Sequence, residues 1–393
     1  FIMIVLLLGS GVQGKAAAYD LVHNASISKV VIADRTENIL ANVAKWLDSE
    51  KCKVKLVDAA IKDKVVELIR EEAIDIIICS VPWKVTIPPL EAAIEAGVNF
   101  VDFGLYQNLE FDKRLTEFDE RAKKVGITII PSCGLAPGMT NMLAAYGASK
   151  LDQIDTVQVF VGGIPEKPQP PLGYKTVWNL EGVWTQYMEA CRVIKNGKPD
   201  TVEAMTGIEY LEFTDLGTFE AAYTDGLGTL LHAYQKPILK GVKNIYEKTV
   251  RWPGHYEKIK SLKECGLLNT EPIDVSECFV SPREFLSKLL APKLKLEDDE
   301  KDMTLLRVNV IGEKGGRKAN CCFEMVDYKD ESTGILSMAR TTGFTGAIVV
   351  NLLAEKRIEN KGVVVPEELG ANKDIFHDIL NEYAKRNIII KEI

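Results

Sequence analysis

The sequence predicts an α/β protein in which a parallel-sheet domain is joined to a second, α+β domain built on a mixed sheet. Three observations predict it. Short apolar, β-rich runs alternate with helical stretches through the first 131 residues. After residue 133 that rhythm gives way to strands in which polar and apolar residues alternate. Apolar helical segments then return at 343–355 and 375–384. A chain of 393 residues is also too long for one ordinary core, so two domains are expected.

Taken in order, strands are predicted at 3–8, 30–34, 54–57, 74–79, 100–103 and 127–131, with helices at 13–23, 36–48, 62–72, 88–96 and 112–124. In the last helix Leu115, Phe118 and Ala122 recur every three to four residues. Ala96-Gly97 and Val125-Gly126 read as helix stops leading into the next strand. Such alternation implies right-handed crossovers, a sheet covered on both faces, and a ligand at the carboxyl ends of the strands. The opening Phe1-Ile2-Met3-Ile4-Val5-Leu6-Leu7-Leu8 could pass for the apolar stretch of a signal peptide. It has no preceding basic region and runs straight into a glycine turn, so it reads as a buried strand. Gly134-Leu135-Ala136-Pro137-Gly138 is a turn before a helix at 139–150. Strands are then expected at 157–161, 305–311, 319–326 and 335–340, in a mixed or antiparallel sheet. The Pro-rich 163–173 reads as a rigid loop and the acidic 297–302 as a solvated turn. The expected division is a first domain of 1–135 completed by a returning 343–393, and a second domain of 136–342.

The most informative segment is Gly9-Ser10-Gly11-Val12-Gln13-Gly14, directly after a strand and opening a helix. The first glycine permits a tight turn, the second lets the backbone approach a pyrophosphate, and the third lets the helix lie against the sheet. Helix amides then point at the anion. With Asp34 twenty residues on, at the tip of the second strand, the pattern is that of a Rossmann-type dinucleotide site. Gly9 to Lys15 also matches the spacing of a nucleotide triphosphate loop, but Ala16 stands where a magnesium-binding hydroxyl is required. Asp34 would accept both ribose hydroxyls of NAD and repel a 2′-phosphate, whereas Arg35 could clamp that phosphate; NAD is favoured, with NADP open. Asp58-Ala59 after the third strand would border the adenine. Cys79-Ser80-Val81-Pro82 after the fourth would pass the ribose and nicotinamide side.

Composition excludes other classes. A formal charge of −8 argues against a nucleic-acid partner. No apolar run reaches the ~20 residues that cross a bilayer. Eight scattered cysteines include no C-x-x-C pair, so no metal is expected, and reduced thiols in the cytoplasm are the plain reading.

Several blocks together resemble the saccharopine dehydrogenase-like family. They are the glycine turn, Asn99-Phe100-Val101-Asp102-Phe103-Gly104, 131–138, and Pro171-Leu172-Gly173-Tyr174-Lys175 with Trp178. Arg251-Trp252-Pro253-Gly254-His255 and Ala339-Arg340-Thr341-Thr342-Gly343 complete the set. Their order and spacing look especially similar to bacterial and archaeal lysine 6-dehydrogenases. The resemblance implies a nucleotide domain interrupted by a substrate domain, and homodimers or higher homo-oligomers built through the latter. It implies oxidation of an amino-acid amine: the ε-carbon of L-lysine yields hydride to NAD, and hydrolysis releases ammonia and 2-aminoadipate 6-semialdehyde.

Such chemistry needs a base with a tuned pKa, acids for the ammonium and a cation for the carboxylate. Asp102, ending a strand, is the candidate carboxylate near the reacting amine, and an N-cap or turn role is its alternative. His255 is the candidate acid/base, against a structural histidine. Arg251 and Arg340 are candidate carboxylate binders, against ordinary ion pairing. Tyr174, Lys175 and Glu181 are expected to close over the substrate, or to pack. Glutamate-forming saccharopine dehydrogenase and carboxynorspermidine-type reductases are alternative enzymes. A non-catalytic NAD(H) sensor is the alternative of another class.

Overall fold

The computed structural model describes residues 3–105 and 109–393; Phe1 and Ile2 of the opening apolar run lie outside them. Two compact units emerge: Phe1–Asp152 with Gly228–Lys240 and Ala339–Ile389, and Gln153–Leu227 with Gly241–Met338 and Ile390–Ile393. Among the described residues no helix is long and apolar enough to cross a membrane.

The first unit is built on a seven-stranded parallel sheet. Its strands are β1 (Met3–Leu8), β2 (Ile27–Asp34), β3 (Cys52–Leu56), β4 (Ile76–Cys79), β5 (Asn99–Asp102), β6 (Thr128–Ile130) and the short Gly362–Val363. The spatial order is β3-β2-β1-β4-β5-β6 and then Gly362–Val363, with every pair parallel. All six expected strands are present, with ends shifted by up to three residues. Val5–Leu8 are fully buried, as a strand covered on both faces must be. Chain order reverses beside β1, so the crevice for a ligand opens at the carboxyl ends of β1 and β4.

The units depart from the expected division in four segments: 136–152, 228–240 and 339–342 fall in the first unit, and 390–393 in the second. Helix Met139–Ala148 packs within the first unit, where Met139, Met142 and Leu143 are fully buried. Residues 228–240 join it too. The reason is a buried polar knot: Glu367 accepts hydrogen bonds from Asn141 Nδ2 at 2.9 Å and from Thr229 Oγ1 at 2.6 Å.

The second unit carries a nine-stranded mixed sheet. In chain order its strands are β7 (Gln153–Pro165), β8 (Cys191–Lys195), β9 (Lys198–Val202), β10 (Glu209–Phe213), β11 (Gly217–Tyr223) and β12 (Asn244–Arg251). A separate hairpin, β13 (Ile273–Val275) and β14 (Cys278–Val280), precedes the long β15 (Asp302–Lys314) and β16 (Arg317–Tyr328), and Ile390–Glu392 closes the edge. Only β12 and β7 run parallel; the other pairs are antiparallel. Helices Leu180–Met188, His255–Glu264 and Pro282–Leu294 supply Val183, Trp184, Ile259 and Leu290 to the core over one face.

Two expectations fail here. Residues 335–340 form no strand: helix Ser337–Ala354 begins inside them. The acidic 297–302 is not wholly solvated, because Asp302 is fully buried. One cause explains both. Asp302 accepts the N–H groups of Ser337 at 2.7 Å and Met338 at 2.9 Å, capping the helix and winding the segment into it.

Candidate active site

β1 ends at Leu8 and hands over to Gly9, whose φ of +87° is in the region glycine favours. A Cβ there would also lie 2.8 Å from the Ser80 carbonyl oxygen. A Cβ on Gly14 would fall 2.0 Å from the Gly9 oxygen, so helix α1 (Val12–His23) rests directly on the turn. Gly11 between them is the opposite case, since a Cβ there meets nothing within 4 Å. That open face is where a pyrophosphate can reach the main chain. Gly11 is the N-cap and offers no side-chain acceptor, so the first N–H groups of α1 are left for an anion. The residues present fit a dinucleotide.

Asp34 is fixed at the rim of this turn. Its Oδ2 accepts from the Ser10 N–H at 2.9 Å and the Ser10 hydroxyl at 3.0 Å, and its Oδ1 from the Thr36 N–H at 3.0 Å. Arg35 beside it is exposed, as are Val12 and Asp58, and Gln13 and Ala59 are half-buried. Ser80 donates its N–H to Leu8 at 2.7 Å, tying the end of β4 to that of β1. Val81 is half-buried and Pro82 exposed, and burial pushes the Cys79 thiol up, leaving it an inert packing group. Every expected cofactor residue thus lies at the carboxyl edge of one sheet.

Asp102 also ends a strand there, but it is fully buried. Its carboxylate accepts the N–H of Ser132 at 2.7 Å and of Gly104 at 3.0 Å. Burial pushes it up to about 7 against the pull of these main-chain donors. These contacts fit the turn-carboxylate alternative, in which Asp102 clamps two loops. Arg340 behaves similarly: in the first turn of helix Ser337–Ala354, it donates to the Arg386 carbonyl and ties two helices.

The second unit holds a buried chain of hydrogen bonds. Arg251, at the end of β12, is 2% exposed. Its Nε donates to the Tyr187 hydroxyl at 2.8 Å and its Nη1 to the Val250 carbonyl at 2.9 Å, while the Tyr174 ring lies 4.9 Å from Cζ. His255 Nδ1 is 2.9 Å from the Leu172 carbonyl, which only accepts, so the ring proton sits on Nδ1. Nε2 is then the acceptor for the Tyr187 hydroxyl at 2.9 Å. Burial first, and then the Arg251 charge, push the imidazole down to about 3. His255 is therefore neutral with both nitrogens engaged, which corrects its expected role: it positions Tyr187 and, through it, Arg251.

What the guanidinium lacks is an anion. Among the described residues of this unit, Arg192 pairs with Asp225 at 2.8 Å, Arg283 with Glu181 at 3.2 Å and Arg307 with Glu324 at 2.9 Å, and Arg317 is exposed. No carboxylate pairs with Arg251. Nearby Glu220 is spent on the N–H groups of Gly254 at 3.0 Å and Tyr256 at 2.8 Å.

The remaining candidates each have protein contacts. Lys175 pairs with Glu300 at 3.1 Å and donates to the Lys295 carbonyl at 3.0 Å. Glu181 is the surface partner of Arg283. Tyr174 is buried against Arg251. Tyr187 is the residue sequence reasoning missed, although Val183, Trp184 and Tyr187 recur at helical spacing and mark an inward face.

Comparison with known proteins gives a consistent picture. The model of the saccharopine dehydrogenase NADP binding domain matches residues 5–130, and that of the saccharopine dehydrogenase C-terminal domain matches 134–389. Mitochondrial alpha-aminoadipic semialdehyde synthase of Bos taurus is 24% identical over 98% of this chain, which spans 47% of that longer protein. Saccharopine dehydrogenase [NADP(+), L-glutamate-forming] of Saccharomyces cerevisiae is 23% identical, over 99% of this chain and 98% of its own. Carboxynorspermidine synthase of Vibrio cholerae is 24% identical, over 80% and 79%. The apo structure of the Saccharomyces cerevisiae saccharopine dehydrogenase (L-Glu forming) superposes with a TM-score of 0.79 at 21% identity, covering 100% of both chains.

Proposed function

The chain belongs to the saccharopine dehydrogenase family, and from that premise we propose that it is an NAD(P)-dependent oxidoreductase acting on a carbon–nitrogen bond of an amino acid. The finer reading is oxidation of L-lysine at its ε-carbon with NAD, giving 2-aminoadipate 6-semialdehyde and ammonia. The observation that carries it is Arg251, a buried guanidinium without a carboxylate partner among the described residues. Burying an unpaired charge is costly, and a substrate carboxylate supplies the missing partner as a bidentate ligand.

One such cation suits a substrate with a single carboxylate. Saccharopine carries three, and the other arginines of this unit are paired or exposed. That favours lysine over the glutamate-forming alternative. When bound, the nicotinamide accepts the hydride. The chain's own residues do the rest: the α1 amides hold the diphosphate, Asp34 holds the ribose, and Tyr187 and His255 hold Arg251 in place. The carboxylate at Asp34 disfavours a 2′-phosphate, which supports NAD over NADP. A homodimer or higher homo-oligomer belongs to the same reading, as does the cytoplasm, which eight free cysteines support.

The test is reduced-coenzyme formation with L-lysine, saccharopine and carboxynorspermidine, each with NAD and NADP. Turnover of lysine with NAD is the expected result. Turnover of saccharopine alone would select the alternative enzyme.

A further inference from the structure

β12 carries a second buried ionisable group. Glu247 is four residues before Arg251, so the two-residue period of a strand places Glu247, Thr249 and Arg251 on one face. Glu247 is 2% exposed. Its Oε1 is 3.4 Å from the Thr224 hydroxyl, and its Oε2 has no hydrogen-bond partner among the described residues. The Thr224-Asp225-Gly226 turn lies against it. Thr224 and Thr249 share a hydrogen bond at 2.6 Å, and Asp225 accepts from Arg192 through Oδ2 while its Oδ1 is buried without a partner. A Cβ on residue 226 would sit 2.1 Å from Glu247 Oε2, so only glycine leaves that oxygen clear. Burial, and then the charge of Asp225, push Glu247 up to about 8.

Two carboxylate oxygens without hydrogen-bond partners among the described residues, one on β12 and one on the segment packed against it, therefore lie beside the strand that ends in Arg251, whose hydrogen bonds go only to neutral groups. Asp225 is matched through Oδ2 by Arg192, but among the described residues neither Glu247 nor Arg251 has an oppositely charged partner, and one zwitterion would supply both. We propose that Glu247 and Asp225 form the subsite for the substrate's ammonium group, with Arg251 as its carboxylate counterpart, so that the substrate class is an ω-amino carboxylate. This deepens, and rests on, the reading of Arg251 as the carboxylate anchor. Four strand residues separate the two Cα positions by about 13 Å. That spacing suits a ligand with its charges at opposite ends of an aliphatic chain, not on one carbon.

The test compares binding of 6-aminohexanoate and hexanoate to the full chain with NADH, by calorimetry. The two probes differ only in the ammonium. Wild type is expected to bind 6-aminohexanoate at least about tenfold more tightly, the ratio of one charge-assisted hydrogen bond. Glu247→Gln and, independently, Asp225→Asn remove most of that preference and leave hexanoate affinity within about twofold, while Arg251→Met weakens both probes. Both acid variants keep the side-chain shape, and thermal melts verify folding. A wild type that does not discriminate, or acid variants that weaken both probes equally, overturns the subsite. Acid-dependent binding without oxidation of any amine would leave the subsite standing and defeat the functional reading; amine oxidation with the preference intact in both variants would do the reverse.

Discussion

The glycine turn and the Arg251 network solve the same problem, holding a charged ligand, by different means. The turn is made of main chain: six consecutive residues, one strand end and the start of one helix, with the side-chain carboxylate of Asp34 hydrogen-bonded to it. The Arg251 network is made of side chains that meet from Tyr187, 64 residues away, and from Leu172 and His255, 83 residues apart. A site built from backbone geometry fails by steric change. One built from converging side chains fails by loss of a partner, and does so gradually.

The sharpest way to break this contrast is Gly14→Ala. Its methyl would overlap the Gly9 carbonyl, so a loss of about 3 kcal/mol or more in stability and no measurable coenzyme binding are expected, by chemical melt and NADH fluorescence. Gly11→Ala should separate the two effects, with a melt like wild type but affinity reduced by about 100-fold, since the methyl fills only the ligand's space. In the side-chain site, His255→Phe takes the acceptor from the Tyr187 O–H and the imidazole donor from the Leu172 carbonyl. A stability loss of about 1–3 kcal/mol and a higher KM for the amine are expected, with coenzyme affinity unchanged.

Stability should also respond to pH with opposite signs at two residues. His255 titrates at about 3 in the fold against 6.5 unfolded, so the unfolded chain holds the extra proton in that window. Stability falls as pH drops through it. Glu247 titrates at about 8 against 4.5, so the fold holds the extra proton and stability falls as pH rises through that range. Each slope is at most about 1.4 kcal/mol per pH unit, and His255→Phe and Glu247→Gln should flatten the acid and alkaline limbs respectively in melts across pH. The smallest effect expected is for Asp34→Ala, which should shift the NAD-to-NADP ratio of kcat/KM by about tenfold towards NADP.

How much was legible follows the same division. The turn could be read because each requirement is local: Gly9, Gly11 and Gly14 lie within one six-residue window, and Asp34 follows at the next strand tip. Arg251 and Tyr174 could be picked out singly, but no local pattern says that Tyr187 would bridge Arg251 to His255. Nor does one say that Lys175 would be consumed by Glu300 and Arg340 by a helix end. Residues 335–340 read as a strand because their helix start is set by Asp302, more than thirty residues upstream. Glu247 escaped notice because an acidic residue on a strand reads as solvent-facing, and only the fold buries it.

The central claim is that Arg251 is held ready for the substrate's carboxylate. It is tested most directly by the ratio of kcat/KM for L-lysine to that for 1,5-diaminopentane, which is lysine without its carboxylate, in wild type and in Arg251→Met. Wild type should favour lysine by at least about 100-fold, and the variant should bring the ratio to within about threefold of one. A preference for lysine that survives unchanged in the variant would contradict the account.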